Sequence, residues 1–350
     1  AKLIAAETVF PLLIKASAGG GGKGMRIVHH MDELEEQMNL AKSEALNSFK
    51  DDSVFIEKYV ESPKHIEIQI LGDQHGNYVY LFERECSIQR RHQKLIEEAP
   101  SSCLSPEVRK AMGESAVNVA RSCNYYGAGT VEFLVDDDLH FYFLEMNTRL
   151  QVEHCVTEMI TGIDLVKEQI EVARGKKLRF AQNDLTINGH AIELRICAED
   201  PANNFLPDTG KLAVYKRPQG PGIRVDDGYD EGMDIPIHYD PMIGKLIAWG
   251  SSRVEAIQRL DRAITEFRIN GIETTLPFGK WAIHQKAFQE GKFDTHFIAK
   301  YYTEEALKEY TEEEISFASM MAVHIYREIE KWKLPLPNPT SRWKHRATLG

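Results

Sequence analysis

The feature that most constrains the fold is a strict alternation of side chains over residues 65–70. Three isoleucines (Ile66, Ile68 and Ile70) point to one face, and a histidine, a glutamate and a glutamine point to the other. A turn sequence, Asp-Gln-His-Gly-Asn over residues 73–77, then leads into a second apolar-rich stretch over residues 78–86. The pattern predicts an antiparallel hairpin whose polar face is free to carry a site.

A second hairpin is predicted from strands over residues 129–135 and 140–146, joined through three aspartates. A register centred near Asp138 and Leu139 sets Glu132 directly opposite Glu145, where like charges cost roughly 0.2–1 kcal/mol. Asn147 falls on the same face and adds an amide oxygen. Two carboxylates and an amide suit Mg²⁺ that bridges nucleotide phosphates, whereas the alternative is an ordinary polar face.

A glycine-dense loop over residues 19–24 follows a short apolar strand over residues 10–16. Its backbone N–H groups can wrap phosphates, because glycine tolerates the required dihedral angles and lets the backbone approach closely. The loop is not a Walker A motif, since Met25 follows Gly24. A Rossmann loop is disfavoured because Glu44 lies in a predicted helix over residues 31–49. We expect a flexible phosphate lid, with Lys15 as a fixed positive charge, or otherwise a plain loop.

Two polar runs remain. Residues 145–154 crowd acid, amide and cationic groups at the predicted end of a strand, which is where functional sites collect. Residues 87–98 are similarly polar, and taken alone they predict a solvated surface. Helices are expected over residues 106–123, 164–173, 252–267, 276–289 and 303–333, with a strand over 190–197 and a strand-rich stretch over 225–249.

The composition argues against several classes of protein. With 350 residues, 43% of them hydrophobic and 27% charged, the chain is expected to fold into several compact elements, not to be disordered. Its longest apolar runs fall short of the roughly 20 residues of a membrane span. A net charge of -11 argues against a nucleic-acid binder. Five scattered cysteines without C-x-x-C spacing indicate a reducing compartment, the cytoplasm of a bacterium or the mitochondrial matrix of a eukaryote.

Several segments, taken together in their order along the chain, resemble the biotin carboxylase family of ATP-grasp enzymes. The resemblance covers residues 1 to about 300 and rests on residues 14–26, 55–59, 64–69, 85–94, 143–149 and 199–201. It implies an α+β, ATP-grasp architecture with a small α/β lid, a larger antiparallel-sheet domain, a biotin carboxylase C-terminal subdomain and a helical tail. The expected segments are a lid over 1–59, a catalytic core over 60–190, a C-terminal domain over 191–300 and an interaction arm over 301–350.

The resemblance also assigns roles to individual residues. The residues that would bind ATP are Lys15, Gly19, Gly20, Gly21, Gly22, Gly24, Glu57, Lys58, His65, Gln89, His92 and Glu132. The residues that would bind Mg²⁺ or Mn²⁺ are Glu132, Glu145 and Asn147. The residues that would bind bicarbonate are Lys94, Arg149, Gln151, Val152 and Glu153. Glu153 would be the general base, and Arg195 would stabilise the biotin ureido oxyanion.

The implied activity is ATP-dependent carboxylation of biotin by bicarbonate through carboxyphosphate, within an acyl-CoA carboxylase. Its partners would be a biotinyl carrier protein, a second copy of the chain and a carboxyltransferase subunit. Two departures stand out: the nucleotide-fold domain that opens the family is missing from this sequence, and Cys155 occupies a usual proline position, where we expect altered loop stiffness. The alternatives are another ATP-grasp ligase, such as a carbamoyl-phosphate synthetase half, and a non-catalytic nucleotide-binding or assembly module.

Overall fold

The computed structural model of the chain describes residues 10–18 and 24–332. The chain divides into two compact units, residues 1–302 and residues 303–350. Among the described residues, no helix combines the length and the apolar character needed to cross a membrane. The sequence also predicts a helix over residues 1–7 and a proline-rich tail over residues 334–339, and both lie outside the described residues.

The strands are β1 (Leu12–Ala16), β2 (Arg26–Val28), β3 (Val54–Lys58), β4 (Lys64–Gly72), β5 (Tyr78–Arg90), β6 (Gln93–Ala99), β7 (Gly127–Val135), β8 (Phe141–Asn147), β9 (His190–Cys197), β10 (Glu199–Asp200), β11 (Leu206–Pro207), β12 (Gly210–Lys211), β13 (Val214–Lys216), β14 (Ile223–Asp227), β15 (Asp234–Ile235), β16 (Met242–Gly250) and β17 (Arg268–Asn270). The α-helices are α1 (Leu34–Phe49), α2 (Pro106–Ser122), α3 (His154–Thr161), α4 (Leu165–Ala173), α5 (Arg253–Glu266), α6 (Leu276–His284), α7 (Lys286–Gln289), α8 (Phe297–Tyr301) and α9 (Lys308–Trp332).

An eight-stranded sheet organises the first unit, in the order β14-β16-β9-β6-β5-β4-β7-β8. All of its neighbouring strands pair antiparallel. The predicted alternation is confirmed: the three isoleucines of β4 are buried in a core with Met112 and Ala116 of α2. The opposite face carries Glu67 and Gln69, also buried. The α+β fold class with a larger antiparallel-sheet domain is therefore confirmed.

The β7–β8 hairpin has the predicted register at Glu132 and Glu145. Glu132 pairs with Glu145, and Asn147 pairs with Thr130 two residues further along. The register shifts by one residue immediately after Glu132, at a β-bulge. The two carboxylates and the amide therefore share one face, as the turn over residues 136–138 predicts.

A separate three-stranded sheet, ordered β2-β1-β3, packs against α1. Leu12, Ile14 and Val28 are fully buried there with Leu34 and Ala41. This is the predicted small lid, with its strands and helix where expected. Four of the predicted phosphate-binding glycines, Gly19, Gly20, Gly21 and Gly22, lie outside the described residues. Gly24 is described, with φ +72°, and a Cβ there would lie 2.8 Å from Ala16 Cβ.

The interpretation of residues 87–98 as a solvated surface is wrong. β5 continues to Arg90, the chain turns at Arg91 and His92, and β6 returns through the middle of the sheet. Glu97 and Glu98 are each 1% exposed. A polar run can be buried here because its charges find partners on neighbouring elements: Glu98 accepts hydrogen bonds from His190 and Arg253.

Helix boundaries are mostly as expected. Ser105, Asp164 and Ser252 cap α2, α4 and α5 by accepting a hydrogen bond from a backbone N–H group of the first turn. The predicted helix over residues 276–289 is instead two helices, because Gln285 adopts extended backbone angles.

Helix α3 was not predicted; it begins at His154, the last residue of the polar run that follows β8. Cys155 was expected to change the stiffness of a loop, but it lies in α3 and is buried. Its thiol accepts a hydrogen bond from Lys245 Nζ at 2.9 Å.

The domain limits near residues 59, 190 and 300 stay predictions. Strands β9, β14 and β16, which follow residue 190, join the same sheet as β4 to β8. In the second unit, residues 304–307 form a 3₁₀ turn that leads into the long helix α9.

Helix α6 fixes the position of β9 through a glycine. A Cβ added at Gly279 would lie 2.3 Å from Leu194 Cδ2, in the buried layer between α6 and the sheet. We expect Gly279→Ala to lower the free energy of unfolding by about 1–3 kcal/mol, because an overpacked core forces neighbours off their rotamers. Urea unfolding measures this. Gly228→Ala is the matched control, because a Cβ there meets nothing within 4 Å. Equal stability of the two variants would contradict this packing.

Candidate active site

One face of the large sheet carries a row of charged side chains across neighbouring strands. Glu132 on β7 pairs with Glu67 on β4, and Glu67 pairs with Arg84 on β5. Further along the sheet, Glu97 on β6 pairs with Glu193 on β9. These five side chains are at most 5% exposed. Such a face is stable only where each charge has partners, so the pairing decides the geometry of the site.

Arg84 is fully buried, and its guanidinium uses all five N–H donors. Nε donates to Glu67, Nη1 to Gln69 at 2.6 Å and to Thr157 at 2.9 Å, and Nη2 to Thr130 and Gln151 at 3.0 Å. Glu67, Gln69 and Thr130 belong to the sheet, whereas Gln151 and Thr157 belong to the segment that covers it. Arg84 therefore ties the sheet to the segment that follows β8.

A β-bulge brings Arg84 to Glu67. Near the turn, β4 and β5 pair Gly72 with Tyr78, but beyond Ile70 an extra residue in β5 shifts the register. Phe82 lies at that bulge with φ +65°. Without the extra residue, Glu67 would face Glu83 instead of Arg84.

Lys94 lies at the centre of three carboxylates. Its Nζ is 2.5 Å from Glu67 Oε2, 2.6 Å from Glu153 Oε1 and 3.0 Å from Glu132 Oε1. Burial alone would lower the pKa of Lys94, but the surrounding carboxylates, Glu67 above all, raise it. Burial alone would raise the pKa of Glu67, yet the charges of Arg84 and Lys94 outweigh it and lower this pKa to about 2. Both groups are therefore charged at neutral pH.

Glu153 stands immediately before α3, with each carboxylate oxygen held by a different cation. Lys94 donates to Oε1, and Arg195 Nη2 donates to Oε2 at 2.9 Å. Arg195 in turn donates from Nε to Glu97 Oε1 at 2.6 Å. Glu153 is only 2% exposed, so these two bonds fix its orientation. A carboxylate oriented in this way can accept a proton from an anion bound beside Lys94 and Arg195.

Glu132, Glu145 and Asn147 meet as predicted. Asn147 Nδ2 lies 3.1 Å from Glu132 Oε1 and 3.3 Å from Glu145 Oε1. His65, Glu67 and Glu132 also bring potential ligand atoms within 4.8 Å of one another. Oxygen donors of this kind fit a hard divalent cation such as Mg²⁺.

The other predicted nucleotide and anion residues fall into two groups. Gln89 and His65 hydrogen-bond at 3.1 Å, and His65 reaches Glu132 at 2.9 Å. Gln151 Nε2 donates to Glu132 at 2.7 Å, while Arg149 lies exposed beside Asn147 at 3.4 Å. These residues surround the Lys94 cluster.

The lid residues lie in the small sheet, where Lys15 pairs with Glu57 at 2.6 Å. Lys58 Nζ lies 5.3 Å from the ring centroid of Tyr142. His92 is exposed in the β5–β6 turn. The carbonyl oxygen of Val152 accepts from Lys245 Nζ at 2.7 Å. Within the described residues, His92 makes no contact with Lys94 or with its three carboxylate partners.

Sequence reasoning missed several buried residues of this face, namely Glu67, Arg84, Glu97, Glu193 and Lys245. For Glu67 a signal exists, since it lies between His65 and Gln69 on the polar face of β4. For Glu97 and Glu193 no local signal exists, because their pairing joins strands almost one hundred residues apart.

Two family models match the chain. Residues 1–181 match the model described as carbamoyl-phosphate synthase L chain, ATP binding domain. Residues 193–300 match the model described as biotin carboxylase C-terminal domain. Residues 182–192, between the two matches, comprise the segment before β9 and the first three residues of that strand.

Curated relatives and solved structures agree with these matches. A pyruvate carboxylase subunit of Methanothermobacter thermautotrophicus is 54% identical over 298 residues, which is 85% of this chain and 60% of that protein. The mitochondrial propionyl-CoA carboxylase alpha chain of Sus scrofa is 48% identical over 356 residues, which is 97% of this chain and 49% of that protein. The chain thus spans 49% to 60% of the length of these two relatives.

Among solved structures, the biotin carboxylase domain dimer of Hydrogenobacter thermophilus 2-oxoglutarate carboxylase, with MgADP, ADP and bicarbonate, superposes with a TM-score of 0.82 at 46% identity. The match covers 87% of this chain and 67% of that one. Biotin carboxylase from Campylobacter jejuni, in a β-γ-ATP complex, gives a TM-score of 0.82 at 45% identity, covering 86% and 67%.

Arg84 offers a test of how this face is held together. We expect Arg84→Lys to lower the free energy of unfolding by about 3–5 kcal/mol, because an ammonium has three donors without the planar fork and leaves buried partners unpaired. Urea unfolding at neutral pH measures the change. Arg174→Lys, in an exposed pair with Glu171, is the control and should change stability immeasurably. A loss no larger at Arg84 than at Arg174 would show that the buried network does not depend on the guanidinium.

Proposed function

The chain belongs to the biotin carboxylase family of ATP-grasp enzymes, and we propose that it catalyses the ATP-dependent carboxylation of biotin by bicarbonate. The observation that carries this proposal is the position of Glu153, a buried carboxylate between Lys94 and Arg195. One cation lies toward the predicted metal and phosphate residues, and the other toward the C-terminal strands. Glu153 is thus placed to serve a reaction that joins two substrates.

Bicarbonate binding is proposed beside Glu153. Bicarbonate is a weak nucleophile until its proton is removed, and Glu153 is the carboxylate that would accept this proton. Lys94 and Arg149 supply positive charge, and the planar fork of Arg149 suits an oxyanion. Gln151, held by Arg84, and the backbone N–H of Val152 would complete the anion contacts. The Hydrogenobacter domain was solved with bicarbonate, which supports an anion site of this kind.

Phosphoryl transfer would follow. The deprotonated bicarbonate oxygen forms a bond to the γ-phosphorus of ATP as the bond to ADP breaks, giving carboxyphosphate and ADP. His65, Gln89 and Lys94 lie around Glu132 on one side of this reaction, and Lys15 and Lys58 of the small sheet, with the glycine loop, would hold ATP. Their work is mainly positioning and charge neutralisation.

Mg²⁺ or Mn²⁺ fits the carboxylates of Glu132 and Glu145 and the amide oxygen of Asn147. Asn147 Nδ2 lies within 3.3 Å of both carboxylates, so an amide rotation would turn its oxygen into the same space. The bound ion would neutralise phosphate charge during transfer. Lys94 contacts Oε1 of Glu132 and His65 contacts Oε2, and together they keep this carboxylate oriented.

Carboxylation of biotin completes the proposal. Carboxyphosphate breaks down to CO₂ and phosphate, phosphate takes the proton from biotin N1, and the nitrogen then forms its bond to CO₂. Arg195 would stabilise the enolate-like ureido oxygen that develops, because three of its five N–H donors remain after those to Glu97 and Glu153. Lid closure would exclude water from the labile intermediate.

The carbamoyl-phosphate synthetase alternative shares the N-terminal family model. The biotin carboxylase C-terminal model covers β9 and β16, which carry Arg195 and Lys245, and therefore favours biotin. A non-catalytic module is disfavoured because a face of buried, paired charges is costly to keep without a reaction to serve.

The larger assembly is also a proposal. An acyl-CoA carboxylase is favoured because the match to the propionyl-CoA carboxylase alpha chain covers 97% of this chain, and so extends beyond Tyr302. The partners would be a biotinyl carrier, a second copy of the chain and a carboxyltransferase subunit, in the bacterial cytoplasm or the mitochondrial matrix. Helix α9 exposes Ile315, Phe317, Val323 and Ile325, which suit a protein partner.

Glu153→Gln tests the base. In the full natural polypeptide, bicarbonate-dependent ATP hydrolysis should rise with free biotin, and the variant should lose about 10²–10⁴-fold of the biotin-stimulated rate, because an amide cannot accept the proton. Glu266→Gln, in an exposed pair with Arg262, is the control. If the wild-type rate of ATP hydrolysis does not change with biotin, another ATP-grasp ligase is indicated. No hydrolysis at all would favour an assembly module.

Deletion of residues 303–350 tests the arm. We expect the deleted polypeptide to keep bicarbonate-dependent ATP hydrolysis but to lose association with the carboxyltransferase subunit, because apolar side chains of α9 would form that contact. Size-exclusion chromatography of the mixed subunits measures association. Unchanged co-elution would exclude the arm as the contact surface.

A further inference from the structure

Two buried acids next to Arg195 have no role in the proposed reaction. Glu97 on β6 and Glu193 on β9 are directly opposite each other in the antiparallel register. Cβ atoms of such pairs lie about 4.5–5.5 Å apart, so the two carboxyl groups share one small space. Glu193 is fully buried, and Glu97 is 1% exposed.

The hydrogen bonding of this pair is incomplete. Within residues 10–18 and 24–332, three carboxylate oxygens are buried without a donor: Glu97 Oε2 and both oxygens of Glu193. All three belong to this one pair. Glu97 Oε1 is engaged by Arg195 Nε. A buried carboxylate without donors is costly, and a proton on one of the two acids would supply the missing bond.

The charges of the surrounding face point the same way. It holds five carboxyl groups, those of Glu67, Glu97, Glu132, Glu153 and Glu193, and four Arg or Lys side chains, Arg84, Lys94, Arg195 and Lys245. The one histidine described on this face, His65, contacts Glu132 and not the Glu97–Glu193 pair. Among the five, Glu193 is the one with no ion-pair partner within 4 Å in the described part of the chain.

The groups that face Glu193 come from each element around it. Arg195 lies on its own strand, Glu97 on β6 and Lys245 on β16, while Glu153 and Cys155 approach from the start of α3. The sheet's other face, under α5 and α6, holds the separate cluster of His190, Glu98 and Arg253. That second cluster is paired within itself on the other face of the sheet, so it supplies no partner to Glu193.

We propose that Glu193 is a neutral acid that donates a hydrogen bond to Glu97 and thereby positions Arg195 for biotin. Glu97 would accept from Glu193 at Oε2 and from Arg195 at Oε1, so its carboxylate is fixed at both oxygens. Glu193 is a positioning residue, since it acts through Glu97. This deepens the proposed function and rests on it.

The pKa directions agree with this assignment. Burial raises the pKa of Glu193 well above its usual range, and the like charge of Glu97 adds to the shift. Burial also raises the pKa of Glu97, to about 7, against the opposing charge of Arg195. Above about pH 7 the pair therefore keeps one proton, on Glu193. As the pH falls below this value Glu97 gains a proton too, and Arg195 keeps only Glu153 as an anionic partner.

Infrared spectroscopy tests the proton directly. At about pH 8, the difference spectrum between the wild-type polypeptide and Glu193→Gln should show the carbonyl stretch of one neutral carboxylic acid, present only in the wild type. Glu98→Gln is the matched control, because Glu98 neighbours Glu97 but faces the other side of the sheet, and this variant should retain the band. A wild type without the band, or a Glu193→Gln variant that keeps it, would overturn the proposal.

Kinetics test the positioning role. Glu193→Ala should lower kcat/KM for free biotin by about ten- to a hundredfold, the loss expected for one charge-assisted hydrogen bond, while hydrolysis without biotin falls much less. Glu193→Gln retains a donor but cannot ionise, so it should stay within about threefold of the wild type at pH 8. In the pH profile of its kcat/KM, the fall in rate at acid pH should occur at the same pH as in the wild type, because the amide, like a neutral acid, places no charge beside Glu97.

The outcomes separate the two proposals. Equal loss with and without biotin in Glu193→Ala would mean a structural role and overturn the positioning of Arg195. A fall in rate that moves to lower pH in Glu193→Gln would show that Glu193 is charged in the wild type and would overturn the proposal. A wild type indifferent to biotin would overturn the proposed function, and the infrared band would still decide whether Glu193 carries a proton.

Discussion

The buried guanidinium of Arg84 is the interaction on which the site depends. A charged group without water needs every donor satisfied, and Arg84 reaches five acceptors on five separate side chains. Three acceptors belong to the sheet and two to the segment after β8. That segment carries Arg149, Gln151 and Glu153, which have little regular structure of their own to hold them. Their position relative to Lys94 and Glu132 is therefore set largely by one side chain that would touch neither substrate.

Local sequence predicts elements whose partners are close along the chain. The predicted β7–β8 register, centred near Asp138 and Leu139, holds beyond the β-bulge that follows Glu132, so Glu132, Glu145 and Asn147 were placed on one face correctly. In β4 and β5, counting from the turn would pair Glu67 with Glu83, but a bulge at Phe82 adds one residue and places Arg84 opposite Glu67. Nothing in the amino-acid pattern around Phe82 announces a positive φ, and glycine or asparagine would have been expected there.

The polar run after β5 shows a different limit. Periodicity reads a dense series of charges as solvated, since an isolated charge is costly to bury. The structure buries Glu97 and Glu98 because Arg195, His190 and Arg253 arrive from segments about one hundred residues or more away. Long-range pairing of this kind leaves no trace in the run itself. The resemblance to a known family selected Gln89, His92 and Lys94 from this run. The structure brings Gln89 to His65 and Lys94 to Glu132 but leaves His92 exposed, and the roles of all three stay predictions.

Electrostatics explain why so many cations converge here. The substrates proposed for this face, a nucleotide and bicarbonate, are anions, yet the sheet beneath them carries five carboxyl groups. Lys94 and Arg195 offset part of this charge, and a divalent cation at Glu132 and Glu145 would offset more. The two cations that contact Glu153, the proposed base, are also shared with other acids. Lys94 contacts Glu67 and Glu132, and Arg195 contacts Glu97. Each cation beside the proposed base is therefore opposed by at least one further carboxylate.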